Sequence, residues 1–207
     1  MRSNAIVHIV ITRIDDENFA WFNNWAGRDE DSTGLTLLPR RYPREVALLH
    51  PGTGPADDHF LPFKAPDATD APLSDEQVAA LEEILLTSFP GNLACCLALY
   101  GGYIDLDDLD GPQGFPHPHA RWVIARLPYA LFGAPLDETL FSSVEDRWGV
   151  WPHVELSFLW AADRSWFIAS APDLAFTVIG CEDQLAERLL ATPALRPHEM
   201  TRHYFTL

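Results

Sequence analysis

The chain has 207 residues, 47% of them hydrophobic, and a formal net charge of −16. This length suits one domain with a sizeable core, and no run of 18 apolar residues is present to span a membrane. So acidic a balance repels phosphate backbones and anionic lipid, which argues against nucleic-acid or membrane-surface binding and for basic partners.

Met1-Arg2-Ser3-Asn4 precedes a short apolar run, Ala5 to Ile11, with no small-residue cleavage site after it. The run reads as a first strand over 5–13 and not as a secretory leader. Phe19, Trp21, Phe22 and Trp25 follow, interrupted by Asn23-Asn24, and fit either a short helix or an irregular packed segment. Residues 27–34 are polar and read as a loop. Glu45 to His50 is a short apolar element stopped by Pro51-Gly52. Five prolines between 51 and 72 make that stretch the best linker candidate. It separates residues 1–72 (strand, aromatic segment and Pro-rich linker) from an α+β core over 73–207 of the same globular unit.

Ser74-Asp75-Glu76-Gln77 is a capping box, with the Ser hydroxyl and Gln side chain each set to satisfy the other's backbone amide. Val78, Leu81 and Leu85 then share a helical face, and Pro90-Gly91 ends the helix. Leu93 to Tyr100 reads as a strand and 105–119 as a Gly- and Pro-rich loop. Arg121 to Leu127 reads as a strand that Tyr129 to Phe132 extends, and Leu136 to Ser143 as a short helix. Val154 to Trp160 and Ser165 to Ser170 flank Ala161-Ala162-Asp163-Arg164 as a β-hairpin. Ala175 to Ile179 is one more strand, broken by Gly180. Glu182 to Leu190 is the last helix, and Pro193 and Pro197 lead into a loose tail. The sum is a single α+β domain: a five- or six-stranded, largely antiparallel sheet with two or more helices packed on one face.

The charge is unevenly placed. Residues 51–110 hold twelve acids and one base, Lys64, a local net of −11. If the linker, helix and loop of this stretch share a face, they form an electrostatic docking surface.

Signs of catalysis are few. The sequence has no GxSxG, P-loop, GxGxxG or HExxH pattern, and no cofactor is implied. Cys95 and Cys96 are adjacent and Cys181 is distant, without metal-binding CxxC spacing. Their apolar neighbours suggest buried, unreactive thiols in a reducing, cytoplasmic compartment. Asp105, Asp107, Asp108 and Asp110 resemble a calcium loop, but position 5 is Leu109 and position 6 is Asp110 where an EF-hand needs an oxygen ligand and glycine. These four aspartates are better read as a solvated acidic loop, and as partner-binding residues if the acidic segments share a face. His117, His119 and His153 are the candidate metal ligands, lacking a spacing that defines a site. Trp160, Asp163, Arg164 and Trp166 make the most structured motif. It reads first as a turn held by Asp163 with Trp166 in the core, since aromatics bury large area, and alternatively as a recognition surface with Arg164 over an indole.

Three segments resemble an uncharacterised family common in actinobacteria. They are Leu93 to Tyr103, Pro128 to Leu136, and Leu159 to Ser170 with Asp173-Leu174, Thr177 and Gly180 beyond. Together they span roughly residues 74–193. Ala161 stands where that family usually has proline, and Cys95-Cys96 where a tryptophan-phenylalanine type pair is commoner. The resemblance implies a shared fold and no established activity. In composition the chain is also similar to bacterial immunity proteins. The expected function is therefore non-enzymatic binding of a basic protein partner through acidic residues, anchored by whichever of Trp21, Trp25, Trp160 and Trp166 are exposed. The alternatives are a small metal- or histidine-dependent enzyme and a structural subunit of a larger assembly.

Overall fold

The computed structural model describes residues 14–26, 38–39, 41–55, 63–64, 73–100, 121–124, 127–137, 140, 156–170 and 175–200. In chain order these form α1 (Asp16–Ala26), β1 (Arg44–Leu49), β2 (Gly54–Pro55), β3 (Phe63–Lys64), α2 (Asp75–Ser88), β4 (Ala94–Tyr100), β5 (Arg121–Ile124) and β6 (Leu127–Pro135). Next come β7 (Leu156–Ala161), β8 (Trp166–Ala169), β9 (Phe176–Cys181), α3 (Asp183–Leu190), a 3₁₀ turn (Pro193–Leu195) and β10 (Pro197–Glu199).

Strand periodicity decides the layering. On β4, Cys95, Leu97 and Leu99 point to one side and Cys96 and Ala98 to the other, and all five are buried. β7 repeats this, with Leu159 and Ala161 opposed to Phe158 and Trp160. A sheet apolar on both faces must be covered on both. α2 and α3 cover the first face through Val78, Leu81, Ile84 and Leu85 and through Leu185, Ala186 and Leu189. α1 covers the second with Phe22 at its centre. The fold is α+β: one antiparallel sheet in the order β10-β1-β9-β8-β7-β4-β6-β5, with β2 and β3 as a separate pair.

The capping box closes as expected, Gln77 N donating to Ser74 Oγ at 3.3 Å and Ser74 N to Gln77 Oε1 at 3.0 Å. The hairpin of β7 and β8 is present, in the register Leu159↔Ile168 and Trp160↔Phe167. Pro51-Gly52 turns the chain after β1, Gly52 taking the left-handed φ of 82° that such a turn favours in glycine.

Several expectations are corrected. The main sheet has eight strands, seven of at least four residues plus three-residue β10, against five or six. Residues 121–132 are not one extended strand: β5 and β6 pair antiparallel with Ile124 opposite Leu127. Their Ala125-Arg126 connection lacks the glycine or asparagine that usually marks such a turn. Helices lie on both faces of the sheet, because α1 belongs to the fold and its aromatics need burial. β1, from the part before residue 73, sits between β10 and β9, so that part and the rest of the chain share one sheet. The chain after α3 forms the 3₁₀ turn and then β10 along the edge of β1, and is no loose tail over 193–199. The expected strand over 5–13, the loops over 27–34 and 105–119, and most of the helix over 136–143 fall outside the described residues.

Gly180 does not end a strand; it lies within β9, opposite Glu45 of β1 and Phe167 of β8. A β-carbon there would stand 2.5 and 2.8 Å from two ring carbons of buried Tyr42, well inside contact distance. Gly180→Ala should cost about 1–3 kcal/mol by overpacking, read from urea denaturation. Combining it with Tyr42→Ala should cost less than the sum of the two single changes.

Candidate functional site

Three groupings of polar and aromatic residues stand out, and the first joins α1 to the hairpin. Asp15 caps α1, its Oδ1 accepting from Asn18 N at 2.8 Å, and Asp16 and Glu17 sit at the positive end of the helix dipole. Buried Asn18 is fully used. Its Nδ2 donates to Asp15 Oδ2 and to the Ala162 carbonyl, each at 3.0 Å, and its Oδ1 accepts from Trp160 Nε1 at 3.3 Å. One turn on, the Phe22 ring stacks on Trp160 with centroids 4.7 Å apart and planes 1° from parallel. The β7–β8 turn closes through Arg164 N to the Ala161 carbonyl and Ser165 N to Asp163 Oδ1. Arg164 takes a left-handed φ of 66°, uncommon outside glycine and asparagine. That conformation directs its guanidinium to Glu17 at 2.5 Å and over the Trp21 ring, 5.3 Å from the centroid. Trp160 and Trp166 are wholly buried on opposite faces of the sheet. As exposed binding anchors they are therefore corrected; of the residues around them Asp163 is exposed, and Arg164, Trp21 and Trp25 are partly exposed.

The second grouping is buried. His50, Thr177 and Ser170 sit side by side at the ends of β1, β9 and β8, with His50 Nε2 3.0 Å from Thr177 Oγ1 and Thr177 Oγ1 donating to Ser170 Oγ at 3.0 Å. Around them Gln77 Nε2 donates to the Leu49 and Leu195 carbonyls, and Thr53 Oγ1 to the Ala175 carbonyl. Arg196, left-handed at φ 49°, donates to the carbonyls of His50 and Thr53 at 2.6 Å each. An imidazole joined to two hydroxyls can pass a proton along the row. The same bonds tie β1, β9, the start of α2 and the 3₁₀ turn into one corner. None of these residues is a candidate site residue from sequence, although Gln77 stands out there as part of the capping box. The available signal was parity, since His50 continues the inward series Val46, Leu48.

The third grouping is the solvent side of α2 and α3, where Asp75, Glu76, Glu83, Glu182, Asp183 and Glu187 are exposed. Arg188 is the only base on the two helices, and it binds Ser88 Oγ at 2.5 Å and Thr87 Oγ1 at 2.6 Å. Arg44 bridges Asp183 and Glu199, and these hydrogen bonds raise its pKa.

Asp105, Asp107, Asp108, Asp110, His117, His119 and His153 lie outside the described residues. Among the described residues no three His, Cys, Asp or Glu side chains gather as metal ligands, and no helix is long and apolar enough to cross a membrane. The three cysteines are buried and free, and burial pushes all three thiols up, Cys181 to about 12. No family model matches the chain, and no curated protein or solved structure is similar to it.

Thr177 is the link on which the buried row depends. Thr177→Val keeps shape but removes the hydroxyl between His50 and Ser170, and should cost about 1–3 kcal/mol in urea denaturation. Thr177→Ser should cost less.

Proposed function

We propose that the protein is a non-enzymatic binding protein that takes a basic protein partner on its acidic surface, in the manner of immunity or antitoxin proteins. The observation that supports this reading is the shared face of α2 and α3. Both pack on one side of the sheet, and their outer surface carries six exposed acids, of which Asp183 is paired with Arg44 of β1, against one arginine of their own, bonded to Thr87 and Ser88. Such a surface steers a cationic partner and speeds its encounter. Asp105, Asp107, Asp108 and Asp110 add to the net negative charge of the chain. The half-exposed Trp21 and Trp25 beside Arg164 offer an aromatic contact of the kind that anchors interfaces. Free, buried thiols fit a reducing, cytoplasmic setting. Membership of the actinobacterial family that the hairpin block resembles belongs to this same proposal, and adds no activity to it.

The test is a binding measurement against the product of the adjacent gene. The expected result is a micromolar or tighter complex whose association rate falls about tenfold between 50 and 300 mM salt. Joint replacement of Glu76, Glu83 and Glu187 by lysine, all exposed and outside the core, should weaken it at least about tenfold while leaving unfolding unchanged. The absence of a complex at micromolar concentration, or a complex indifferent to salt and to these changes, contradicts the reading.

A further inference from the structure

Where β4 begins and β6 ends, the sheet leaves a groove of about 420 Å³, within the range of sites that hold small molecules. Its room comes from small side chains, since Ala94, Gly133, Ala134 and Ala162 carry at most a methyl group. Ile14 and Pro135 extend the apolar walls, and Cys95 and Cys96 form part of the lining. Those two residues face opposite sides of β4, so the groove wraps the strand end and is not confined to one layer. Cys96 itself is buried, at 2% exposed, and so belongs to the wall of the groove.

Among the described residues of the lining, Asp15 is the one that carries a charge. Burial works against its ionisation, but the Asn18 amide and side chain outweigh it and hold the carboxyl below its ordinary value, so it stays charged near neutrality. Each oxygen accepts a bond from Asn18, and the backbone amides of Asp15 and Glu17 also favour its charged form. The negative field reaches the thiols. Burial is the main cause of their raised pKa values, and Asp163 at Cys95 and Asp15 at Cys96 add to it, with Arg164 opposing at Cys96. The Arg164 guanidinium is already paired with Glu17. Small apolar walls beside one ionised carboxylate suit a compact hydrocarbon bearing a positive charge and disfavour carboxylates and phosphates.

We propose that this groove binds a small organic ammonium compound, its nitrogen on the Asp15 carboxylate and its hydrocarbon part against Ala94, Ala134 and Pro135. The site is separate from the outer face of α2 and α3, so the basic-partner reading stands or falls independently.

The test is a titration of the isotope-labelled 207-residue chain, followed by amide chemical shifts, with cyclohexylammonium, cyclohexanol and cyclohexanecarboxylate. Cyclohexylammonium should give saturable shifts at Ala94, Cys96, Ala134 and Ala162, with cyclohexanol about tenfold weaker and the carboxylate weaker again. Asp15→Asn keeps an oxygen for the Asn18 amide at the helix cap and loses the bond that the second oxygen accepts from Asn18 Nδ2. It should weaken cyclohexylammonium about tenfold and leave cyclohexanol unchanged. Ala94→Leu, at an exposed lining position, should block both ligands by filling the groove. Equal affinity for the three compounds, shifts that never saturate and spread over α2 and α3, or no shifts at all would overturn the proposal. If Asp15→Asn loosens α1, unaltered cyclohexylammonium binding in Ala94→Leu overturns it instead.

Discussion

The constraint on which the structure depends is that its sheet is apolar on both faces. Along β7, Trp160 enters one layer and Leu159 and Ala161 the other. Just past the turn, Trp166 enters the layer opposite to Trp160. A fully buried tryptophan takes some 150–250 Å² out of water, so neither face can be left to solvent. Helices must lie on both sides, and the chain supplies them from its two ends and its middle: α1 over the aromatic face, α2 and α3 over the aliphatic one. The small residues Cys96 and Ala98 lie on the aromatic face, where they leave room for the rings of Phe158, Trp160 and Phe167.

Covering both faces fixes where function can sit. With the sheet enclosed, the surfaces left to solvent are the outer sides of the helices, the connecting turns and the strand ends. The acids of α2 and α3 occupy the first of these places and the groove beside Asp15 the last. The motif Trp160-x-x-Asp163-Arg164-x-Trp166 is divided by the same constraint. Its tryptophans belong to the two cores, and Asp163 and Arg164 shape a turn that holds α1 through Glu17 and Trp21. Asn18 does the same from inside, satisfying the Trp160 indole that would otherwise be buried without a partner.

Much of this architecture was legible because local chemistry and tertiary demand agreed. The capping box over 74–77, the apolar run of β4 and the hairpin over 156–169 each carry a strong local signal, and each is present. Where the two diverged, reading the sequence alone failed in definable ways. Gly180 looks like a strand breaker, yet it is in β9 because Tyr42, far away in sequence, occupies the space above its α-carbon. The reversal between β5 and β6 lacks turn residues, so two strands read as one. The row His50–Thr177–Ser170 joins three strand ends up to 127 residues apart, and no spacing rule reports such a meeting. The groove is legible only as an absence of side-chain volume at Ala94, Gly133, Ala134 and Ala162, which a sequence shows only as common small residues.

The claim that both faces are covered by structural helices is tested most directly by native-state hydrogen exchange. The account predicts that amides of β4 and β7 exchange only through global unfolding, and that those of α1 follow within about 1–2 kcal/mol of it, because removing α1 strands Phe158, Trp160 and Phe167 in water. Exchange of α1 at the rate of a free peptide, with β7 still protected, would contradict it and leave α1 an appendage on an already complete core.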